Sequence, residues 1–564
     1  MVKRIHIAIA AGFAGLLMAS ASGSAADGGA ASRDFNVRDF GAAGDRTAID
    51  TLAINQTIEA CAAAGGGRVR FPPGAYLAGT VHLRSHTTLF FEAGARLVGT
   101  TNLTAYQQPT PPAFMPEARW GKWHRGLILG ENLEDIAIAG PGIIDGNKVF
   151  DPTGEERMRG PHTIVLVNCR SAGIRDVSII DSANYAVFFQ VSDQVEIRDV
   201  KFAGGWDGVH FRGTRDRPCR DVSIIDCQFY TGDDSIAGRY WDNTLIRGCI
   251  INSSCNGIRV IGPVQHLIVQ DCLFYGPGLH PHRTSNRTNM LAGLNLQPGA
   301  WDATAGLLDD VFASDLTMRN VATPFHFVLK PGNTAGRIQV NRVSATGVYR
   351  SASSVESWAE TPFTNVVFRD VTIECNGGGA AELAQMTVKA PGVDARPLPA
   401  WGFYARHVQN LTFDQVRLRF AAADFRPVLA ADQVDRVVLE DFKFDRAAAK
   451  PDPFRFTEVA QIQWRGTDLT RIELRAVELK AISDAADGRL TVNRAFKAIV
   501  TVENGDREGL GLVELELERQ KLTRWVWLAA NEKKEVGFSG LFLSTTGPLE
   551  LRCQGLSRRV QVEP

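Results

Sequence analysis

Short segments in which apolar and polar residues alternate recur through the middle of the chain. Each segment has the two-residue period of a β-strand and ends near Gly, Asn or Asp, residues that favour turns. Successive copies start 23, 27, 22 and 23 residues apart, at Ile174, Ile197, Ile224, Ile246 and Val269. A segment this short buries its apolar face only by stacking on its neighbours. The pattern therefore predicts a repeat fold.

The length of the repeat selects among the repeat folds. A propeller blade needs about 40–50 residues, and a helical repeat needs apolar spacings of three and four. Stacked coils of a parallel β-helix fit better. Residues 50–65 indicate an amphipathic helix that covers one open end of the stack, and residues 276–308 and 376–400 indicate loops that flank one face. Further copies of the strand segment begin at Ala313, Val340, Phe368, Phe413 and Leu439.

The repeat fades near residues 447–453, and the tail alternates continuously between tight turns. This pattern, with a hairpin signal at Asn504–Gly505, predicts an immunoglobulin-like β-sandwich. The expected fold class is therefore all-β, with a β-helix domain over residues 33–468 and a sandwich over residues 469–564. Trp525 and Trp527 are expected as buried core aromatics rather than as a sugar-binding surface.

The first 26 residues have the order of a secretory signal peptide. Lys3 and Arg4 precede an apolar run at residues 7–18, and small residues continue to Ala26. The run is too short to span a membrane, and no later stretch is apolar enough to do so. We expect an exported protein, periplasmic or extracellular.

Composition removes several functional classes. The 564 residues carry 61 Lys and Arg against 62 Asp and Glu, so charge gives no reason for a nucleic-acid or anionic-membrane partner. None of the nine cysteines forms a C-x-x-C pair, which makes a zinc site unlikely on sequence grounds. Cys227, Cys249 and Cys272 follow the repeat and are expected as packed thiols. No metal and no cofactor are expected.

Three carboxylates recur at equivalent positions just after the repeated strands. Neighbouring coils lie about 4.8 Å apart, so Asp207, Asp233 and Asp234 are expected within ~10 Å of each other. Carboxylates this close repel one another, and at least one holds its proton more tightly. Glycoside hydrolysis needs such a pairing of an acid with a base. The sequence therefore predicts a catalytic aspartate trio acting on a polysaccharide or oligosaccharide.

Three motifs resemble glycoside hydrolase family 28, the polygalacturonase-like right-handed β-helix enzymes. They are residues 35–45, residues 140–146 and, most tellingly, the Thr-Gly-Asp-Asp segment at residues 231–237. The resemblance implies inverting hydrolysis of a pectin-like or other branched glycan. It makes Asp233 the general acid that protonates the leaving oxygen, while Asp207 and Asp234 activate the attacking water.

The sequence also departs from the family pattern. The Asn-Thr-Asp motif of the family is Gly205-Trp206-Asp207 here, and its Gly-His-Gly falls on Cys255-Asn256-Gly257, without the histidine. Its Arg-Ile-Lys falls on Asn295-Leu296-Gln297, which removes two cations that would meet a galacturonate carboxylate. We therefore expect unsubstituted polygalacturonate to be a poor substrate. Candidate substrate-binding residues are Trp206, His210, Asn256, Arg259, Asn295, Gln297, His326 and Lys330.

Two alternatives stay open on sequence alone. A pectate-lyase-type enzyme would use the aspartates to bind Ca²⁺ and Arg239 or Arg259 to remove a proton. A non-catalytic carbohydrate-binding β-helix would keep the coil and lose the chemistry.

Overall fold

The computed structural model describes residues 33–115, 124–350, 352–483, 489–518 and 520–564. The predicted signal peptide at residues 1–26 lies outside the described residues. Strands dominate the described chain, and one continuous parallel system contains 35 of them. No helix in the described ranges combines the length and the apolar character needed to cross a membrane.

The parallel system winds into coils with three faces. The first sheet contains Asp34–Asn36, Gly67–Phe71, Thr87–Phe91, Glu134–Ala139, Arg170–Arg175, Asp193–Arg198, Cys219–Ile225, Trp241–Arg247 and Val264–Gln270. The second sheet contains Asp45–Ile49, Gly74–Ala78, Ala95–Gly99, Ile143–Asp145, Ser178–Ile180, Lys201–Ala203, Gln228–Thr231, Ile250–Ser253, Leu273–Tyr275 and Lys443–Phe444. The third sheet contains Val81–His82, Gly126–Glu131, His162–Val167, Val187–Gln190, Val209–Arg212, Ile236–Arg239, Asn256–Val260, Ala292–Leu296, Phe325–Leu329 and Ser353–Ser357.

Later coils merge faces into long strands. These are Gly306–Arg319, Asn333–Val348, Phe363–Gly377, Phe403–Ala422, Leu429–Glu440 and Phe454–Arg465. Apolar side chains from all three faces point inward and form one continuous core along the stack. Phe211 and Trp241 illustrate the packing, because their rings stack with centroids 3.9 Å apart.

The N-terminal end of the stack is covered by the α-helix Thr51–Ala63. Its Ile54, Ile58 and Cys61 are fully buried in the core of the first coils. Four 3₁₀ segments, at Val37–Phe40, Leu103–Ala105, Glu155–Arg157 and Ala381–Gln385, complete the helical elements of the described residues.

The tail forms two separate sheets around their own core, antiparallel except for the parallel pair of Leu490–Thr491 with Leu556–Glu563. One contains Arg475–Ser483, Phe496–Glu503 and Lys533–Leu541; the other contains Leu490–Thr491, Leu556–Glu563, Gly547–Cys553, Gly509–Leu517 and Gln520–Leu528, in these spatial orders. This is the strand order of an immunoglobulin-like sandwich. The predicted all-β class, a parallel β-helix with an immunoglobulin-like sandwich, is confirmed.

The hairpin expected at Asn504–Gly505 was wrong. The strands before and after it belong to different sheets, so the segment crosses from one sheet to the other. The Asn504 side chain donates to the Arg507 carbonyl at 2.7 Å and accepts from the Glu532 amide at 3.0 Å. These local bonds stabilise a connecting turn rather than a two-stranded ladder.

The sandwich closes the other end of the β-helix. Trp525 and Trp527 are each 5% exposed and belong to the core of the coil stack. Trp464 of the last coil meets Trp525 edge to face at 6.1 Å. Both tryptophans therefore pack as core residues, and neither offers a free ring to a sugar.

Candidate active site

The third sheet brings the aspartate trio to one cavity of about 370 Å³. Val209 pairs with Ile236, and Ile236 pairs with Ile258. Two positions earlier in the same register, Asp207, Asp234 and Asn256 form one column across three coils. Asp233 lies one residue aside, in the column of Trp206 and Cys255. All three carboxylates line the cavity although each residue is at most 9% exposed.

Asp233 is held by cations and an N–H donor. Arg159 Nη2 donates to Asp233 Oδ2 at 3.1 Å, and His282 Nε2 lies 3.7 Å from the same oxygen. The Ser285 amide donates to His282 Nδ1, which places the proton of a neutral ring on Nε2. Burial raises the pKa of Asp233, but the hydrogen bond from His282 and the charge of Arg159 outweigh it and hold that pKa well below its usual range.

Asp234 is held by the next coil. Its Oδ1 accepts from the Asn256 amide at 2.9 Å and from Asn256 Nδ2 at 2.7 Å, while Arg259 Nη1 lies 3.5 Å from Oδ2. Burial raises the pKa of Asp234, and the Arg259 charge opposes the rise. Asn256 is fully buried and thus orients this carboxylate from behind.

The pKa of Asp207 shifts in the opposite direction to the pKa of Asp233. Burial, reinforced by the charges of Asp233 and Asp234, raises the pKa of Asp207 well above its usual range. The cavity therefore favours a proton on Asp207 and a negative charge on Asp233. The roles implied by the family resemblance require the reverse distribution during turnover.

Trp206 packs under the cavity. The residue is fully buried, and the Arg159 guanidinium lies 3.7 Å from the centroid of its ring. With that face covered, Trp206 supports Arg159 by a cation–π contact and presents no ring surface to a sugar. Arg159 in turn also donates to Glu156 Oε1 at 2.5 Å.

Four predicted substrate-binding residues are not among those that line the cavity, and two of the four bond to residues 378–402, which we call the covering loop. Gln297 Nε2 and Lys330 Nζ both donate to the Gly392 carbonyl of this loop, at 2.7 and 2.9 Å. Asn295 donates to Asn256 at 3.2 Å, and His326 Nδ1 contacts Ser354 Oγ at 3.1 Å. Arg259 also contacts the loop, because its Nη2 donates to the Val393 carbonyl at 2.6 Å.

The covering loop is anchored by a buried ion pair. Arg396 donates to both oxygens of Glu356, at 2.9 and 2.7 Å, and the Glu356 side chain is fully buried. Val393 and Asp394 of the loop then form one wall of the cavity. The opposite wall comes from Glu155, Glu156 and Arg159. Residues of the covering loop and residues of the loop at 155–159 thus both line the cavity.

Sequence reasoning missed several residues that line the cavity. Arg159, Tyr185, His282 and Arg287 all do so. Most of them lie in loops, which the strand repeat cannot place. The histidine missing at Asn256 has a counterpart in His282, which comes from the insertion after residue 276. Its signal was the concentration of histidine and arginine in that insertion.

The cavity does not fit the Ca²⁺ site of a lyase. Asp233, Asp234 and Cys255 offer ligand atoms within 4.8 Å of one another. Ca²⁺ takes six to eight oxygen ligands, whereas this group provides two carboxylates and a thiol. Arg287 Nη2 lies 2.9 Å from Cys255 Sγ, and Arg159 and Arg259 already contact the two carboxylates. Three guanidinium groups at this distance oppose a bound divalent cation.

Family models match two parts of the chain. The model described as "Right handed beta helix region" matches residues 162–285, which carry the aspartate trio. The model described as "Rhamnogalacturonase A/epimerase, pectate lyase-like" matches residues 35–106. Together with the coil topology, these matches decide the type of fold. The chain is a right-handed β-helix similar to the polygalacturonases.

Known proteins similar to this polygalacturonase-like chain include a probable polygalacturonase from Vitis vinifera, 23% identical over 59% of the chain and 73% of the relative. An exo-poly-alpha-D-galacturonosidase from Dickeya chrysanthemi is 26% identical over 36% of the chain, a match that spans 41% of that relative. The crystal structure of an exopolygalacturonase from Thermotoga maritima aligns with a TM-score of 0.50 and 19% identity, over 68% of this chain and 91% of that one. The last similarity supports the fold.

Proposed function

We propose that this protein is an exported glycoside hydrolase that cleaves a pectin-like or other branched glycan by inverting acid/base hydrolysis. The observation that carries the proposal is the cavity in which Asp207, Asp233 and Asp234 meet with pKa values driven in opposite directions. Acid/base catalysis by carboxyl groups requires one group that holds a proton and another that is ionised, so their pKa values must differ. The two polygalacturonase relatives support the same reaction class.

In this proposal Asp233 protonates the leaving oxygen, and Asp207 with Asp234 activates water on the other side of the bond. Turnover in this proposal requires the proton on Asp233, while Asp207 and Asp234 are ionised. The contacts from Arg159 and His282 hold Asp233 in a fixed orientation for the transfer.

We further propose that the enzyme acts from chain ends. A long polymer needs a groove open at both ends, whereas this cavity is bounded by Glu155 and Glu156 on one side and by Val393 and Asp394 on the other. The exo-acting Dickeya chrysanthemi relative supports the same mode. Terminal cleavage releases small products from the first turnover.

The charge of the cavity supports a neutral or sparsely charged substrate. Seven carboxylate residues and four arginines line the cavity: Glu155, Glu156, Asp207, Asp233, Asp234, Asp302 and Asp394, with Arg159, Arg212, Arg259 and Arg287. An excess of carboxylates repels a polyanion. Asn295 and Gln297 lie outside this lining, so the expected weakness on polygalacturonate now rests on the cavity itself.

The test is a product analysis. Purified protein is incubated with polygalacturonate, rhamnogalacturonan and neutral branched glycans, and reducing ends, product masses and anomeric configuration are recorded. The proposal expects saturated products of inverted configuration from at least one branched glycan, with and without chelator. Unsaturated products would indicate a lyase, and altered residues without new ends would indicate an epimerase. Polygalacturonate as the best substrate would contradict the charge argument.

Export is tested separately by expressing the full chain and sequencing the N-terminus of the protein recovered outside the cytoplasm. A mature start near residue 27 is expected. A full-length protein retained inside the cell would contradict export without touching the proposed reaction.

A further inference from the structure

His210 lies in the cavity beside Asp207, and both of its ring nitrogens and one ring face contact other residues of the protein. His210 Nδ1 lies 2.7 Å from Asp207 Oδ2, and Arg212 Nε donates to His210 Nε2 at 2.8 Å. Tyr185 stacks flat on the imidazole, with ring centroids 4.4 Å apart and planes 5° apart. Neither ring nitrogen is left for a sugar hydroxyl, so the expected role in substrate binding does not match this geometry.

We propose that His210, locked in one tautomer by Arg212, is a positioning residue that orients Asp207 and favours its ionised form during turnover. The inference deepens the proposed hydrolysis and rests on it, since it assigns Asp207 the task of activating water.

The tautomer follows from the chemistry of arginine. A guanidinium only donates hydrogen bonds, so His210 Nε2 must accept and the single proton of a neutral ring must lie on Nδ1. That N–H points at Asp207 Oδ2, which leaves Oδ1 for the attacking water. A hydrogen bond of this kind stabilises the carboxylate over the carboxylic acid.

The ring stays neutral in this setting. Burial lowers the pKa of His210 well below its usual range, and Arg212, Arg239, His162 and Arg159 act in the same direction. His210 therefore donates to Asp207 without exchanging protons itself over the working pH range.

The hydrogen bond from His210 matters because the other charged groups around Asp207 shift its pKa in opposite directions. Asp233 and Asp234 raise its pKa together with burial, and Arg159 and Arg259 lower it. His210 is the group that contacts Asp207 directly through a hydrogen bond. Loss of that donor should shift the balance further toward the protonated, inactive form of Asp207.

The experiment compares two substitutions of the same residue. His210→Phe keeps a flat ring against Tyr185 but removes the donor, whereas His210→Asn offers a side-chain N–H near the position of Nδ1. The pH profile of kcat/KM is measured on the glycan found by the product analysis. We expect the acidic limb to move up by about one pH unit in His210→Phe, which is a tenfold loss at acidic pH, and to return toward the wild-type position in His210→Asn.

A second readout does not depend on activity. The apparent Tm is measured against pH for wild type, His210→Phe, Asp207→Asn and the double variant. If His210 acts on the Asp207 carboxylate, its substitution changes the pH dependence of Tm only when Asp207 is present. A merely structural role would lower Tm equally in both backgrounds and at every pH, and would overturn the proposal.

Arg212→Met decides the case if both His210 variants fail to fold. Without the guanidinium, His210 Nε2 is free to bind a proton, so a new titration with the ring is expected in the pH dependence of Tm. An unchanged curve would overturn the tautomer lock. A wild-type protein that hydrolyses none of the glycans would refute the proposed function, while the Tm experiment would still judge the contact between His210 and Asp207.

Discussion

Two halves of one sheet use the same positions differently. In the coils from Val187 to Val260, the third sheet presents charged groups to an open cavity, among them Asp207 and Arg259. In the coils from Ala292 to Ser357, the same sheet contributes no described residue to the lining of that cavity, and Gln297 and Glu356 hold the covering loop instead. A repeat therefore gives equivalent backbone sites but leaves their use to the loops that reach them.

The difference has an electrostatic origin. A buried charge is tolerated only with a partner, and the first half supplies partners by setting carboxylates against guanidinium groups within the same cavity. The second half places mostly neutral amides under the loop, with Glu356 neutralised by Arg396. The candidate catalytic groups therefore lie where charged side chains line the cavity. The coils with mostly neutral side chains instead hold the covering loop, which forms one wall of the cavity.

The largest loss of kcat is expected from a substitution among the charged residues that line the cavity. Asp233→Asn should lower kcat by about 10²–10⁴-fold, because an amide cannot donate the proton that an acid catalyst gives to the leaving oxygen. The loss should be smaller on an aryl glycoside, whose leaving group needs no proton. Steady-state kinetics on both substrates measures this.

A matched control for that substitution is Asp242→Asn on the outer face, where Asp242 pairs with His266 at 2.8 Å. It should behave as wild type. Leaving-group dependence in Asp207→Asn instead of Asp233→Asn would exchange the two roles, in line with the raised pKa of Asp207 and the lowered pKa of Asp233.

The second effect concerns the neutral half. Arg396→Met leaves Glu356 buried without its partner, a change that costs about 3–5 kcal/mol in comparable buried pairs. The covering loop should detach, and products should change from single terminal sugars to mixed oligomers. Mass spectra of early products check this, with Arg396→Lys as the control that keeps the charge. Unaltered products from a variant with a detached loop would reject the loop as the barrier.

A smaller loss of kcat is expected from removing asparagines near Asp234, and the loss should decrease from one coil to the next. The Asn256 side chain bonds to the Asp234 carboxylate, and the Asn295 side chain bonds to the neutral Asn256. Hydrogen bonds to charged groups contribute about 1.5–3 kcal/mol and neutral ones about 0.5–1.5 kcal/mol. We therefore expect Asn256→Ala to reduce kcat more than Asn295→Ala, with KM little changed in both. Equal losses in kcat would show that the two halves are not separated as described.

The smallest effect is a dependence of stability on pH. The pKa of Asp207 is raised in the folded state, so folding is favoured by its protonated form at acidic pH. That contribution is lost as pH rises through the raised pKa. Asp207→Asn should therefore have an apparent Tm higher than wild type at neutral pH by about 1–3 °C, and the gap should close toward pH 4. Calorimetry across this range measures it; a gap that widens toward acid would contradict the assignment.

The tautomer of His210 and the source of the cations show what sequence reasoning could not reach. The role of His210 depends on Arg212 two residues away and on Tyr185 of the preceding coil. Arg159 and His282 come from loops whose paths follow no repeat. Nothing in a strand pattern specifies how a loop folds back, because its conformation is decided by the contacts it finds.

The sequence by itself determined the coil, the column of aspartates and the sandwich. Alternation with a steady period leaves stacking as the only way to bury the apolar positions, and stacking brings equivalent residues together. Only the tertiary structure decided which polar residues face the cavity. Asn295, Gln297, His326 and Lys330 occupy the predicted face, yet each is bonded within the protein, and Gln297 and Lys330 are bonded to the covering loop. The period of the strand pattern determines on which face of the coil a side chain lies. Whether that side chain reaches the cavity depends on contacts with distant loops, such as the bond of Gln297 to Gly392, about 95 residues away.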